Sequence, residues 1–163
     1  MKTQSIHLKK PEEVETKILH LSLPDLLPSG RILALNLEVR TLSLLTEGPV
    51  LIIEQQFSVN EMSVLVPLLK SFPHYCRYEV LLAHISSNFV TTNSIERCRQ
   101  RLQEALSRGA WQQELRPMRR ALSSLRNKLH LFDLEISNVR ERGWSLTNLM
   151  SVSSSGHFPL KIP

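Results

Sequence analysis

Short aliphatic runs separated by turn residues occupy the first third of the chain. Ile32–Leu37 and Val39–Leu45 have the length and the aliphatic content of β-strands. The turn sequence Glu47-Gly48-Pro49 separates them from a third run at Val50–Ile53. This pattern predicts a small antiparallel sheet of three or four short strands.

The residues before this sheet are polar and charged. A short helix is expected over Glu12–Leu21, after which Pro24, Pro28 and Gly30 mark a boundary. At the other end, the tail from Ser151 lacks periodicity and is expected to be mobile. The chain is therefore divided into an N-terminal extension at 1–29, one folded domain at 30–148 and a flexible tail at 149–163.

Three helices are expected after the sheet. Ser58 and Glu61 have the spacing of a capping box, with a serine cap and a glutamate three residues later. Asn93 and Glu96 repeat that spacing and are expected to start the third helix. The predicted spans are about 61–70, 78–85 and 95–106.

A fourth helix, predicted at 116–130, has the most distinctive pattern. At 100° per residue, Met118, Leu122, Leu125 and Leu129 fall on one narrow stripe. No acidic residue occurs from Arg116 to Phe132. The opposite side and its flanks carry cationic and hydrogen-bonding residues: Arg116, Arg119, Arg120, Ser123, Ser124, Arg126, Asn127 and Lys128. Such a face could suit a polyanion.

Two strands are expected after this helix, at Leu134–Val139 and Trp144–Thr147. Arg140 to Gly143 connects them, and a connection of this length with a glycine is typical of a β-hairpin. Gly143 is expected to take a positive φ angle. The short connection before the basic helix is expected to include Trp111.

Charge and cysteine content narrow the class of protein. The net charge is +5 and the sequence pI is near 9.6, with the positive charge concentrated after Arg97. This excess permits nucleic-acid binding without proving it. Cys76 and Cys98 are too few for a disulfide framework and predict reduced, partly buried thiols in a cytoplasmic protein. No apolar run reaches the roughly 20 residues of a membrane span.

Enzymatic chemistry is not indicated by any motif. The sequence contains no glycine-rich phosphate loop, no paired metal-binding Cys/His spacing and no nucleophile elbow. His74 and Cys76 are close enough to be a ligand pair, but a second pair is missing, so zinc is not expected. We therefore expect a protein that is not an enzyme and needs neither a metal nor another cofactor.

The last part of the chain resembles a known family. Residues 122–129, LSSLRNKL, and 136–146, ISNVRERGWSL, are similar to the end of the OmpR/PhoB-type winged-helix domain. That family ends in an Ile-Ser-x-Leu-Arg-x-Lys-Leu helix and an Ile-x-Thr-Val-Arg-Gly-x-Gly-Tyr-x-Leu wing. Residues 58–65, SVNEMSVL, look like its Leu-Thr-x-x-Glu-Phe-x-Leu-Leu first helix. The resemblance covers about residues 32–146 and implies a DNA-binding domain.

This sequence departs from the family pattern at several places. Glu141 stands at the wing glycine, Trp144 at the tyrosine and Asn138 at the threonine. One helix is extra, either that near 95–106 or that near 61–70. About 30 residues precede the sheet, so the resemblance implies a divergent member without a receiver domain.

The implied fold is α+β: a winged helix-turn-helix with an N-terminal antiparallel sheet, a helical bundle with one extra helix and a C-terminal β-hairpin wing. In the family, the last helix lies in the DNA major groove and the wing arginine reaches toward the minor groove. Arg side chains can bind guanine and Asn can bind adenine, whereas Arg126 and Lys128 are expected to clamp phosphates. Arg140 matches the wing arginine, and Arg142 adds a cation.

The resemblance predicts a sequence-specific transcription regulator. Its expected partners are double-stranded DNA and either a second copy, RNA polymerase or another regulator, with no membrane and no small-molecule site indicated. The alternative hypothesis is a winged-helix protein–protein interaction module that has lost DNA binding. The altered wing, the extra helix and the modest net charge motivate that alternative.

Overall fold

The computed structural model describes residues 17–71 and 73–150. The strands in chain order are β1 Ile18–Leu21, β2 Arg31–Asn36, β3 Thr41–Thr46, β4 Val50–Gln56, β5 Tyr75–Arg77, β6 Leu134–Val139 and β7 Gly143–Asn148. The helices are α1 Val59–Lys70, α2 Tyr78–Ser86, α3 Thr92–Ser107 and α4 Trp111–Leu129, followed by a 3-10 turn at His130–Phe132. The mixed α+β class predicted from the sequence is confirmed. Within these residues, no helix combines the length and the apolar character needed to cross a bilayer.

The predicted antiparallel sheet is confirmed and has four strands in the order β1-β2-β3-β4. Its inward row is built by alternation, because successive side chains of a strand point to opposite faces. Leu33 and Leu35 of β2 and Leu42 and Leu44 of β3 are buried in one cluster with the helices. The sheet therefore has one face on the core and one face toward solvent.

The helix expected over Glu12–Leu21 is wrong for Ile18–Leu21, and residues 12–16 lie outside the described part of the chain. Ile18–Leu21 form β1 because pairing with β2 satisfies the backbone groups of both strands. Leu26 and Leu27 are also buried, and the Asn148 side-chain amide donates to the Leu26 carbonyl at 2.8 Å. The packed structure thus begins before residue 30, and the expected mobile tail from Ser151 is not among the described residues.

The helices after the sheet are confirmed, with two corrections at their starts. Ser58 and Glu61 form the predicted capping box of α1. The cap of α3 is Thr91 with Ser94, rather than Asn93 with Glu96, because the Thr91 and Ser94 side chains each bond the other's backbone N–H. Glu96 pairs with Arg99 instead.

Helix α4 starts at Trp111 rather than at Arg116, so Trp111 is not in a connecting loop. Gly109 follows α3 and has a left-handed conformation, with φ of 72°. Ala110 is the N-cap of α4, which begins at the next residue. The Trp111 ring packs edge-on against Tyr78 of α2, with centroids 5.8 Å apart. This tertiary contact stabilises a first turn that the basic pattern did not predict.

The predicted hairpin is confirmed, and β5 adds a third strand in the order β5-β7-β6. The expectation for Gly143 is wrong: Glu141 takes the positive φ, at 57°, and Gly143 does not. A Cβ on Gly143 would lie 2.0 Å from the Cys76 carbonyl oxygen. Glycine is therefore needed there for the close approach of β5, not for the turn.

Candidate nucleic-acid interface

Helix α4 is divided into a buried side and an exposed side. The predicted stripe of Met118, Leu122, Leu125 and Leu129 is buried, and Leu115 extends it by one turn. The exposed side carries most of the predicted site residues: Arg116, Arg119, Arg120, Ser123, Ser124 and Asn127. The apolar side fixes the rotation of the helix about its axis, so the polar side faces solvent.

Five of these six side chains have few internal partners. Arg119 donates to the Gln112 side chain, about two turns earlier on the same face of α4. Within the described part of the chain, the side chains of Arg116, Arg120 and Ser123 make no ion pair or hydrogen bond. We name Arg116, Arg119, Arg120, Ser123 and Asn127 the free face of α4.

Ser124 and Lys128 of α4 are bonded to α1 and to β4. Lys128 Nζ lies 2.7 Å from Glu61 Oε2 and 3.1 Å from the Gln56 carbonyl oxygen, to which it also donates. Ser124 Oγ donates to the other carboxylate oxygen of Glu61. The two side chains therefore connect α4 to the start of α1 and to the end of β4.

Glu61 is the centre of this cluster and is only 3% exposed. Burial raises its pKa. The hydrogen bonds from Lys128, Ser124 and the Ser58 backbone N–H and the charge of Lys128 lower the pKa, and together they outweigh the effect of burial. The net result is a pKa below the ordinary glutamate value, so the side chain is a carboxylate at neutral pH. The Lys128 charge is thereby largely neutralised within the protein.

Arg126 is also engaged within the fold. Its Nε lies 2.9 Å from Glu135 Oε1, within ion-pair distance although not aligned as a hydrogen bond. Its terminal nitrogen donates to the Ile136 carbonyl at 2.6 Å. His130 lies 2.6 Å from the other oxygen of Glu135. These contacts connect the end of α4 to strand β6.

The hairpin tip presents Arg140 and Arg142, both exposed, on either side of Glu141. The Tyr78 backbone N–H donates to the Arg142 carbonyl at 3.2 Å, and its hydroxyl donates to Asn138 at 3.2 Å. The start of α2 thus supports the hairpin from one side.

Arg77 of β5 is a cation that the sequence pattern did not single out. It lies directly across from Gly143 in the sheet, and 65% of its side chain is exposed. Its guanidinium is 3.9 Å from the Glu79 carboxylate. A three-residue strand has too short a pattern to predict, so nothing in the sequence placed Arg77 next to the hairpin tip.

The acids nearest the free face are themselves paired. Glu114 of α4 forms an ion pair with Arg101 of α3 at 2.9 Å, and Glu61 is paired with Lys128. The uncompensated charge on this side of the described structure is therefore positive. A positive, exposed helix face can bind a polyanion.

The remaining candidate residues have structural roles. Cys76 and Cys98 are free and buried, and burial raises the pKa of both thiols. His74 is buried, and its Nδ1 lies 3.0 Å from the Leu68 carbonyl oxygen. Among residues 17–71 and 73–150, no three or more His, Cys, Asp and Glu side chains are grouped so that they could hold a metal ion.

Comparison of the chain with protein-family models, with curated proteins and with solved structures found no match.

Proposed function

We propose that this chain is a sequence-specific transcription regulator that binds duplex DNA through α4 and the β6–β7 hairpin. The fold would be a winged helix-turn-helix of the OmpR/PhoB type, in the cytoplasm. The observation that carries the proposal is the free face of α4, which is cationic, exposed and adjacent to the buried stripe that orients it.

The order of elements supports this proposal. A four-stranded sheet, α1, two more helices, the basic helix and a hairpin follow one another, which is the order of the resemblance with one extra helix. Helix α1 packs against α2, α4 and the second sheet, and its capping glutamate contacts α4, whereas α3 packs chiefly on α2 and α4. We therefore take α1 as the equivalent of the first family helix and α3 as the extra one.

We assign different roles to the predicted site residues according to their contacts within the protein. Arg116, Arg120 and Asn127 are free to reach base edges, where Arg pairs with guanine and Asn with adenine. Arg119, Ser123, Arg140 and Arg142 would contact phosphates or the minor groove. Ser124, Arg126 and Lys128 would instead hold α4 in place, because each is bonded within the protein.

The test is a selection of bound sequences from random duplexes, followed by titration of the selected site. We expect one enriched motif and an affinity that falls steeply as salt rises, because binding releases counterions from phosphates. Arg97→Ala, which removes an exposed arginine of α3, is the matched control for substitutions on the free face. No enrichment above the starting pool would contradict the proposal.

A protein–protein interaction module is the second candidate function. The ion pairs of Arg126 and Lys128 within the fold favour it, because they leave fewer cations for DNA than the sequence suggests. A pull-down with one stoichiometric protein partner and no retained DNA would support this candidate over the first.

A further inference from the structure

Strand β4 is an edge of the first sheet and carries unusual side chains for an edge. It pairs with β3 on one side, and no strand among residues 17–71 and 73–150 pairs with its other side. Val50, Leu51 and Ile52 are 58%, 54% and 45% exposed. An edge strand with exposed apolar residues is a template for pairing with another chain.

The apolar surface continues from this edge onto the solvent face of the sheet. Leu51 lies opposite Leu45 of β3, and Leu45 lies opposite Ile32 of β2. The register shift between Leu44 and Leu45 leaves Ile52 without its own partner, which bends this end of the strand. Other exposed apolar residues, such as Phe89, Leu106 and Leu131, are not part of such a row.

We propose that the Val50–Ile52 edge binds a second copy of this chain, with the two β4 strands antiparallel about a two-fold axis near Leu51. A two-fold interface joins the same patch on both subunits, so the patch must tolerate itself. This edge does so because residues 48–53 carry no charge. Centring at Leu51 sets Val50 against Ile52 of the other copy and keeps the two Glu54 side chains apart.

The position of the edge relative to α4 supports a second copy as the occupant. Gln56, whose carbonyl accepts from Lys128, lies five residues beyond Leu51 on the same strand. At about 3.3 Å per residue, the two α4–β4 contacts of a dimer would be about 33 Å apart. One turn of duplex DNA is about 34 Å, the spacing of half-sites for two-fold dimers.

The helices of both copies would lie on one side of the joined sheet, because a two-fold axis normal to a sheet does not exchange its faces. The two α4 helices could then meet one side of the same duplex. This spacing rests on the proposed function, whereas the dimer itself does not.

The decisive experiment is sedimentation equilibrium of the full chain without DNA, from about 5 to about 500 μM. Each copy contributes only three exposed apolar residues, far fewer than the roughly 20–30 residues per side of a standard interface, so we expect a weak dimer that forms in this range. Leu51→Lys should lower the association constant at least tenfold. Leu131→Lys is the matched control, because Leu131 is also 54% exposed and the same charge is added.

A cysteine substitution gives an independent measurement. Leu51→Cys should form an interchain disulfide under mild oxidation, since residues at a two-fold axis face their own copies, and Leu131→Cys should not. The native Cys76 and Cys98 are buried, and the wild-type chain measures the background level of interchain disulfide that they form. A wild-type chain that stays monomeric at about 500 μM, or equal association of the two lysine variants, would overturn the proposal.

The DNA result separates the two proposals. A wild-type dimer that Leu51→Lys dissociates, without any retained duplex, leaves the dimer standing and removes the proposed function. DNA binding by a chain that is monomeric with and without Leu51→Lys removes the dimer alone. If both hold, the selected sites should be inverted repeats whose centres are about one helical turn apart.

Discussion

Two groups of polar side chains on the exposed side of α4 differ in what they contact. Arg116 and Arg120 of the free face make no ion pair or side-chain hydrogen bond within the described residues, whereas Ser124 and Lys128 both bond to Glu61. A helical wheel treats all of them as one cationic surface. The difference shows that a basic residue paired with a buried acid stabilises the fold and is less available to bind a ligand.

The largest effect should come from removing the partner of a buried charge. Lys128→Met leaves the Glu61 carboxylate buried with one hydrogen bond fewer and no counter-charge. Such losses cost about 3–5 kcal/mol for a fully buried pair, and we expect roughly 2–3 kcal/mol because Lys128 remains partly exposed. Chemical denaturation measures this change. Arg120→Met, an exposed cation without a partner, should change the free energy of unfolding by less than about 0.5 kcal/mol.

For DNA affinity, a substitution of Arg120 is expected to have a larger effect than a substitution of Lys128. Arg120→Ala should weaken binding to the selected duplex by about 1–3 kcal/mol, because an arginine that contacts a base or phosphate is lost. Fluorescence anisotropy at fixed salt measures it, with Arg97→Ala as the matched control. Equal affinities of the two alanine variants would mean that the free face of α4 does not contact DNA.

A smaller effect on stability is expected from Ser124→Ala. The substitution removes one hydrogen bond to Glu61 and leaves those from Lys128 and from the Ser58 backbone N–H. A net loss of about 1 kcal/mol is typical of a single hydrogen bond. A thermal melt of the variant beside Ser123→Ala, its exposed neighbour, isolates the bond. The assignment fails if both serines give the same midpoint.

The pH dependence of the same cluster should be the most gradual effect. The pKa of Glu61 is lowered in the folded state, so its contribution to stability is complete above the ordinary glutamate pKa of about 4.3 and is lost as the pH falls through the lower folded value. The free energy of unfolding of the wild type should therefore decline in that acidic range. Glu61→Gln should flatten this decline, and an unchanged slope would assign it to other carboxylates.

The sequence predicted elements whose side chains repeat with a clear period. The leucine stripe of α4 and the alternation at Leu33 and Leu35 each form one buried face. The helix and the strand can therefore be predicted from the local pattern of the sequence. Strand β5 has three residues and β1 has four, which is too short for a period to appear. Both form because a neighbouring strand completes their hydrogen bonds.

Long-range contacts account for what local pattern missed in the candidate site. Glu61 lies 67 positions before Lys128, so its bond to that lysine could not be predicted from α4 alone. The requirement at Gly143 comes from the backbone of Cys76, which approaches from β5. The sequence shows which residues are cations. Whether each cation is free to contact a ligand depends on tertiary packing.

The salt dependence of DNA binding tests the central claim most directly. If Arg119 on the free face contacts a phosphate, Arg119→Ala should reduce the slope of log K against log salt concentration by about 0.9, the value for one neutralised phosphate. The Glu61→Gln/Lys128→Met double variant removes the bonded pair without changing the net charge and should keep the wild-type slope. A slope lowered by about 0.9 in the double variant, with the wild-type slope kept by Arg119→Ala, would contradict the role of the free face in DNA binding.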